Sequence, residues 1–185
     1  RGFTPSYTNL IESGLFKEGE FPFQKKGVKA KEPFIAVSIR AEDYYRNPHL
    51  GVLPRRYYRI ALEMLDRLEL NHKLFVAGVS SWKEMQEFLP RSFRERILFI
   101  GNQDSPISDL YSLSQADYSV IANSTFSYLG SFFSNSRQII MPKPFYLAEP
   151  SWSAKLLSPR IKEISYTFFP KSRYFRLRLE KKRYK

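Results

Sequence analysis

Late in the chain, an apolar run breaks into Asn123-Ser124-Thr125-Phe126-Ser127 and then returns to aromatic residues. Asn and Ser are preferred at helix N-caps. A helix N-terminus also binds anions, because its first N–H groups have no partner within the helix. The pattern therefore predicts a helix capped by Asn123 or Ser124, with hydroxyl groups of Ser124, Thr125 and Ser127 available to a phosphate. A cap with no ligand is the alternative.

A second group of chemically capable residues follows the apolar run at residues 34–39. Arg40 comes directly after that run, and Asp43 follows three residues later. A guanidinium can bind a diphosphate through two parallel hydrogen bonds, and a neighbouring carboxylate can orient it or bind a sugar hydroxyl. A surface Arg–Asp pair that contributes little is the alternative. Together with the polar segment at 123–127, Arg40 indicates a diphosphate site.

Alternating strands and helices are expected to carry these residues. Apolar, β-rich runs predict strands at 34–39, 73–79, 97–101, 118–122 and 137–142. Helices are expected between them, one with Pro54 in its first turn and one capped by Ser81, with Glu84 completing a capping box. This alternation predicts an α/β fold, a parallel Rossmann-like sheet with helices on both faces. Ligands of such sheets bind outside the carboxyl ends of the strands, where Arg40 and residues 123–127 are expected.

The composition excludes several kinds of chemistry. The chain has 185 residues, of which 43% are hydrophobic, enough for a sizeable core. It has no cysteine, so it has no disulfide, thiol nucleophile or thiolate metal site. Its two histidines, His49 and His72, are far apart in sequence, which disfavours a zinc site. Neither a P-loop nor a glycine-rich dinucleotide fingerprint is present, which disfavours ATP hydrolysis and nicotinamide chemistry.

Positive charge is concentrated at the end of the chain. The net charge is +12, and residues 160–185 hold ten Lys/Arg and two Glu, a net of +8, which leaves +4 for residues 1–159. Such an arm can contact an anionic membrane or nucleic acid, and a solvated terminus is the alternative. Nucleic acid is disfavoured because the rest of the chain carries little net charge.

Three regions are therefore expected. Residues 1–32 form a linker or the edge of a missing N-terminal lobe, 33–159 form the α/β domain with the diphosphate site, and 160–185 form a basic aromatic tail. The absence of cysteine and of a membrane anchor favours a cytoplasmic location, with the tail in peripheral contact with the inner membrane.

Two segments carry a family resemblance. Ser38-Ile39-Arg40-Ala41-Glu42-Asp43-Tyr44 is similar to a His-x-Arg-Arg-Gly-Asp-Tyr motif, and Ile121-Ala122-Asn123-Ser124-Thr125-Phe126-Ser127 is similar to Ile-Ala-Asn-Ser-Thr-Phe-Ser. Asp109-Leu110 fits the Asp-Leu that precedes the second motif. Over residues 33–147 the chain resembles family 11 glycosyltransferases, the α-1,2-fucosyltransferases, which use GDP-fucose. It departs from their pattern at Ser38 in place of His, at Ala41 in place of the second Arg and at Glu42 in place of Gly.

The resemblance implies the donor-binding lobe of a GT-B-like, inverting and metal-independent transferase with no cofactor. Arg40 would then bind the β-phosphate, and Asp43 or Glu42 would assist the acceptor hydroxyl. Residues implied to hold the diphosphate and ribose, or the loop beneath, are Asn123, Ser124, Thr125, Ser127 and Asp109. The partners implied are a GDP-sugar donor and a glycan acceptor, with fucose linked α-1,2 to galactose as the expected product. A catalytically inactive sugar-nucleotide-binding or scaffold module of the same fold is the alternative, favoured by the departures.

Overall fold

Six strands and five helices follow one another along the part of the chain that the computed structural model describes, residues 17–23, 32–41, 44, 51–68, 72–79, 81–100, 106–143 and 160–165. The strands are β1 (Phe34–Ser38), β2 (Lys73–Ala77), β3 (Ile97–Ile100), β4 (Tyr118–Val120), β5 (Gln138–Lys143) and β6 (Ile161–Ser165). The helices are α1 (Arg55–Asp66), α2 (Trp82–Phe88), α3 (Arg91–Arg94), α4 (Pro106–Ser114) and α5 (Thr125–Phe132).

All six strands form one parallel sheet in the order β3-β2-β1-β4-β5-β6. This is the strand order of the Rossmann fold, in which the chain runs outwards from β1 to β3 and then returns to start again at β4. The predicted α/β fold with a parallel sheet is therefore confirmed.

Helices cover both faces of the sheet, because alternate side chains of each strand point to opposite sides. Ile35 and Val37 of β1 belong to a core cluster with residues of α1, α2 and α3. Phe34 and Ala36 of the same strand pack on the other side, in a cluster with Leu113 of α4. Strands buried on both faces read as continuous apolar runs, which is why the sequence revealed them.

Two helices begin at or next to the residues where the sequence predicts their starts. The Ser81 hydroxyl accepts a hydrogen bond from the backbone N–H of Glu84 at 3.1 Å, which confirms Ser81 as the N-cap of α2. Pro54 occupies the N-cap position of α1, one residue before the helix begins at Arg55. The chain therefore enters α1 from extended backbone, at the end of the β1–α1 connection.

Strand β6 lies inside the segment that the sequence assigned to the tail. Its residues pair with β5 from Ile139↔Ile161 to Lys143↔Ser165. Two charged residues, Lys162 and Glu163, lie within it and hid the strand among the charges that follow. Residues 161–165 therefore belong to the sheet, and residues 166–185 lie outside the described residues.

Part of the predicted N-terminal linker also packs on the domain. The backbone N–H of Gly19 donates to the carbonyl oxygen of Phe132 at 3.0 Å, at the end of α5. The ring of Phe21 meets that of Phe133 edge to face, with centroids 6.1 Å apart. Residues 17–23 thus contain no helix or strand, and they contact the domain at the end of α5.

Arg160 links these two unpredicted features. Its guanidinium donates to the carbonyl oxygens of Ser134 at 2.8 Å and Ser136 at 3.0 Å, and it forms an ion pair with Glu18. We expect Arg160→Ala to lower the free energy of unfolding by about 2 kcal/mol, because two carbonyls lose a charged donor. Urea denaturation followed by circular dichroism measures this change. Lys162→Ala, at an exposed position on the adjoining strand, is the matched control, and an equal loss in both variants would contradict the assignment.

Candidate functional site

The predicted site residues follow two strands that are neighbours in the sheet. Val37 of β1 pairs with Val120 of β4, so Arg40 and Asn123 each lie three residues beyond the same register point. The order of strands reverses between β1 and β4, since the chain moves to β2 on one side and to β5 on the other. In open parallel sheets, ligands bind in the crevice at this switch point. The structure therefore brings the two predicted groups to the same place.

Buried hydrogen bonds tie the ends of these strands together. The Ser38 hydroxyl accepts from the backbone N–H of Ala122 at 2.8 Å, 84 positions away in sequence. The Tyr44 hydroxyl donates to the carbonyl oxygen of Asn123 at 2.7 Å. These two bonds fix one wall of the crevice against the other.

Arg40 is carried out of the sheet with an exposed side chain. The backbone N–H of Ile39 donates to the carbonyl oxygen of Ala77 at 2.9 Å, so the ladder with β2 continues to the residue before Arg40. The guanidinium carbon of Arg40 lies 5.8 Å from the centroid of the Tyr44 ring, within the range of a cation–π contact. The backbone before Arg40 is thus held in the sheet, and the Arg40 side chain is accessible to solvent.

Gly78 permits the close approach beside Arg40. Its φ is +83°, a region that L side chains rarely adopt, and a Cβ at this position would overlap the carbonyl oxygen of Ile39. The sequence placed Gly78 only within the strand predicted at 73–79. The structure shows a steric requirement: only glycine lets the end of β2 lie against the residue that precedes Arg40.

Asn123 is fully buried, with 0% of its surface exposed, and its side-chain amide donates to the carbonyl oxygen of Gly51 at 2.8 Å. This bond joins the β4–α5 connection to the residues that lead into α1. Of the two residues expected at the cap of α5, Asn123 lies one position before the N-cap, and its amide donates to a residue 72 positions away. Asn123 is placed to hold the loop.

Ser124 occupies the N-cap position of α5, but its side chain makes no capping hydrogen bond among the described residues. Its carbonyl oxygen accepts the first helical bond, from the N–H of Tyr128 at 2.9 Å. A helix start of this kind can bind an anion through the N–H groups of its first turn and their share of the helix dipole. Among the predicted hydroxyls, those of Ser124 and Ser127 belong to buried residues, and that of Thr125 belongs to a half-buried one.

Asp109 lies in the first turn of α4 and is only 7% exposed. Helix α4 follows β3 and α5 follows β4, so both helices begin at the carboxyl edge of the parallel sheet. They pack closely, because a Cβ on Gly130 of α5 would come within 2.8 Å of the Leu113 Cβ of α4. This placement agrees with a supporting role for Asp109 beneath the loop.

Other expected features fall elsewhere. Asp43 and Glu42, the candidates for assisting the acceptor, lie outside the described residues, as does most of the basic tail. Within the described ranges, no three His, Asp or Glu residues gather where they could hold a metal ion. No described helix is long and apolar enough to cross a bilayer.

Two groups that favour anions follow the adjacent ends of β1 and β4: the exposed Arg40 guanidinium and the N-terminus of α5. Both groups favour an anion whose oxygens are bonded to more than one atom. The guanidinium donates two parallel hydrogen bonds, and the helix start donates from successive N–H groups. A diphosphate meets that description.

In comparisons with known proteins, no protein-family model, curated protein or solved structure matches this chain. The geometry of the site is therefore the basis for the function proposed below.

Removal of the Ser38 hydroxyl tests the connection between the two strand ends. In Ser38→Ala the buried N–H of Ala122 loses its acceptor, so we expect the free energy of unfolding to fall by about 1–3 kcal/mol. Chemical denaturation measures the change, with Ser92→Ala at an exposed position of α3 as the matched control. A Ser38→Ala protein as stable as the control would show that this hydrogen bond does not hold the strands.

Proposed function

We propose that this chain is the donor-binding part of a glycosyltransferase that moves fucose from GDP-fucose to a hydroxyl of a glycan acceptor. The observation that carries the proposal is the position of Arg40 and the start of α5 outside the adjacent ends of β1 and β4. The similarity of these same two segments to α-1,2-fucosyltransferase motifs supports the choice of GDP-fucose and of galactose as acceptor. The parallel sheet agrees with the donor lobe of a GT-B-like enzyme.

In this proposal, the diphosphate of GDP-fucose bridges Arg40 and the first turn of α5. The acceptor hydroxyl attacks the anomeric carbon of fucose while the bond from that carbon to the β-phosphate oxygen breaks. The leaving GDP takes the bonding electrons, and Arg40 neutralises the negative charge that develops on it. Attack on the side opposite the leaving group inverts the configuration at the anomeric carbon. The hydroxyl proton goes to a base, for which Asp43 is the candidate.

The remaining residues of the site have supporting roles. Thr125, half-buried at the start of α5, is the predicted hydroxyl most accessible to the diphosphate or ribose. Asn123 fixes the loop through Gly51, and we propose that Asp109, buried in the first turn of α4, supports the loop from below. An arginine that neutralises the leaving group takes the place of a divalent cation, so we propose a metal-independent reaction. Contact of residues 166–185 with the inner face of an anionic membrane would bring the enzyme to lipid-linked acceptors.

Arg40→Ala tests the phosphate site. We expect this change to weaken GDP binding by about 1.5–3 kcal/mol, the scale of hydrogen bonds to a charged group, or roughly 10- to 150-fold in Kd. Isothermal titration with GDP measures the change. Arg67→Ala is the matched control, since Arg67 is exposed at the opposite end of α1 and should bind GDP as wild type does. Equal GDP affinity in the Arg40→Ala and wild-type proteins would place the phosphate elsewhere.

A second candidate is a binding module that has lost catalysis. Two departures from the transferase motif are structural in this chain: Ser38 bonds the Ala122 N–H, and Ala41 is fully buried in the core beside α1. Neither position offers a group to the reaction. The module therefore retains the phosphate site through Arg40 and lacks the groups that the transferases carry at positions 38 and 41.

Incubation with GDP-fucose and galactose-ended oligosaccharides separates the two candidates. A transferase releases GDP in step with a fucosylated product, seen by mass spectrometry, and NMR shows inversion at the anomeric carbon. A module binds GDP-fucose in the calorimeter and releases no more GDP than a reaction without acceptor. Binding of neither GDP nor GDP-fucose would contradict both.

A further inference from the structure

Tyr44 contacts both Arg40 and Asn123, the residue that precedes the N-cap of α5. Only 6% of its surface is exposed, so its ring is part of the core and not of the solvent-facing loop. Its hydroxyl donates to the carbonyl oxygen of Asn123 at 2.7 Å, a bond between positions 79 residues apart. Asn123 directly precedes the N-cap of α5. The Tyr44 hydroxyl therefore holds the backbone from which the helix starts.

The face of the same ring supports Arg40. The guanidinium carbon lies 5.8 Å from the ring centroid, so the cation rests over the negative face of the aromatic system. Arg40 is exposed, and a long exposed side chain otherwise samples many rotamers. Contact with a buried ring restricts that freedom on the side of the crevice.

Two further hydrogen bonds hold the backbone around Asn123. The Asn123 amide donates to the Gly51 carbonyl at 2.8 Å, and the N–H of the preceding Ala122 donates to Ser38. The carbonyl that Tyr44 binds consequently belongs to a rigid segment. A tyrosine anchored there by its hydroxyl can hold Arg40 at a set distance from α5.

We propose that Tyr44 is a positioning residue that sets the separation between the Arg40 guanidinium and the N-terminus of α5, so that both bind one diphosphate. The inference rests on the proposed function and adds a residue to it. Tyr44 acts through its two neighbours and does not itself touch the ligand. Hydroxyl and ring have separate tasks: the hydroxyl anchors the loop, and the ring orients the cation.

Two substitutions separate these tasks. Tyr44→Phe keeps the ring and loses the bond to Asn123, and we expect GDP binding to weaken about three- to tenfold. Tyr44→Leu also loses the ring under Arg40, and we expect a further loss of about two- to fivefold. Tyr57→Phe is the matched control, because Tyr57 is also a buried tyrosine, and its hydroxyl donates to the carbonyl oxygens of Ile121 at 2.7 Å and Ile140 at 3.1 Å. It should lose stability and keep its affinity for GDP.

A double-mutant cycle distinguishes positioning from a structural role. Each Tyr44 variant is combined with Arg40→Ala, and GDP affinity is measured by calorimetry on proteins whose folding is verified by circular dichroism. If the ring acts through Arg40, the further change from phenylalanine to leucine at position 44 has no effect on affinity once Arg40 is alanine. A merely structural ring would cost the same affinity in both backgrounds, because independent effects add.

The outcomes divide as follows. A coupled loss, with Tyr57→Phe binding normally, supports the inference. Other results overturn the inference and leave the proposed function standing. In these, the wild-type protein binds GDP and Arg40→Ala weakens that binding, but neither Tyr44 variant does, or the change from phenylalanine to leucine at position 44 costs the same affinity with and without Arg40. Should Tyr44→Leu fail to fold, the Tyr44→Phe affinity decides the role of the hydroxyl, and a value equal to wild type overturns it. Absence of GDP binding by the wild-type protein overturns both proposals.

Discussion

The structure depends on the fixed separation between the ends of β1 and β4. These strands lie side by side at the point where the sheet reverses its order, and the chain leaves each of them in a different direction. Nothing in a parallel ladder holds such diverging ends together, so side chains must do it. The Ser38 hydroxyl and the Tyr44 hydroxyl both reach across, to the N–H of Ala122 and the carbonyl of Asn123. Because these bonds are buried, they keep much of their strength, and their loss leaves unsatisfied polar groups.

Two groups beside these strand ends can bind an anion. Arg40 is exposed just beyond the clamped region, and α5 begins without a side-chain cap on the neighbouring strand. Among the described residues, the Arg40 guanidinium and the N-terminus of α5 both add positive potential at this edge of the sheet. The helix start donates through backbone N–H groups, whereas Arg40 supplies a full charge on a long side chain whose position depends on its contacts.

The sequence revealed those features that depend on neighbours along the chain. Strands buried on both faces gave continuous apolar runs, and Ser81 with Glu84 gave the start of α2 correctly. Features that depend on distant partners were hidden: Asn123 looks like a helix cap, yet its amide partner is Gly51, 72 positions away. Strand β6 was missed because Lys162 and Glu163 interrupt its apolar residues and merge with the charged segment that follows. The pairing of Arg40 with the start of α5 was predictable only because parallel strands bring their carboxyl ends to one edge.

The place of β6 has a consequence for how this domain can be shortened. Strand β6 covers the outer side of β5, whose backbone donors and acceptors would face solvent without it. A protein cut at residue 159 would keep every group of the crevice and yet present a bare apolar strand, since Ile139, Ile140 and Met141 are core residues of β5. Such an edge recruits strands from other molecules. Self-association of the shortened protein would then come from the exposed edge of β5, one strand away from β4.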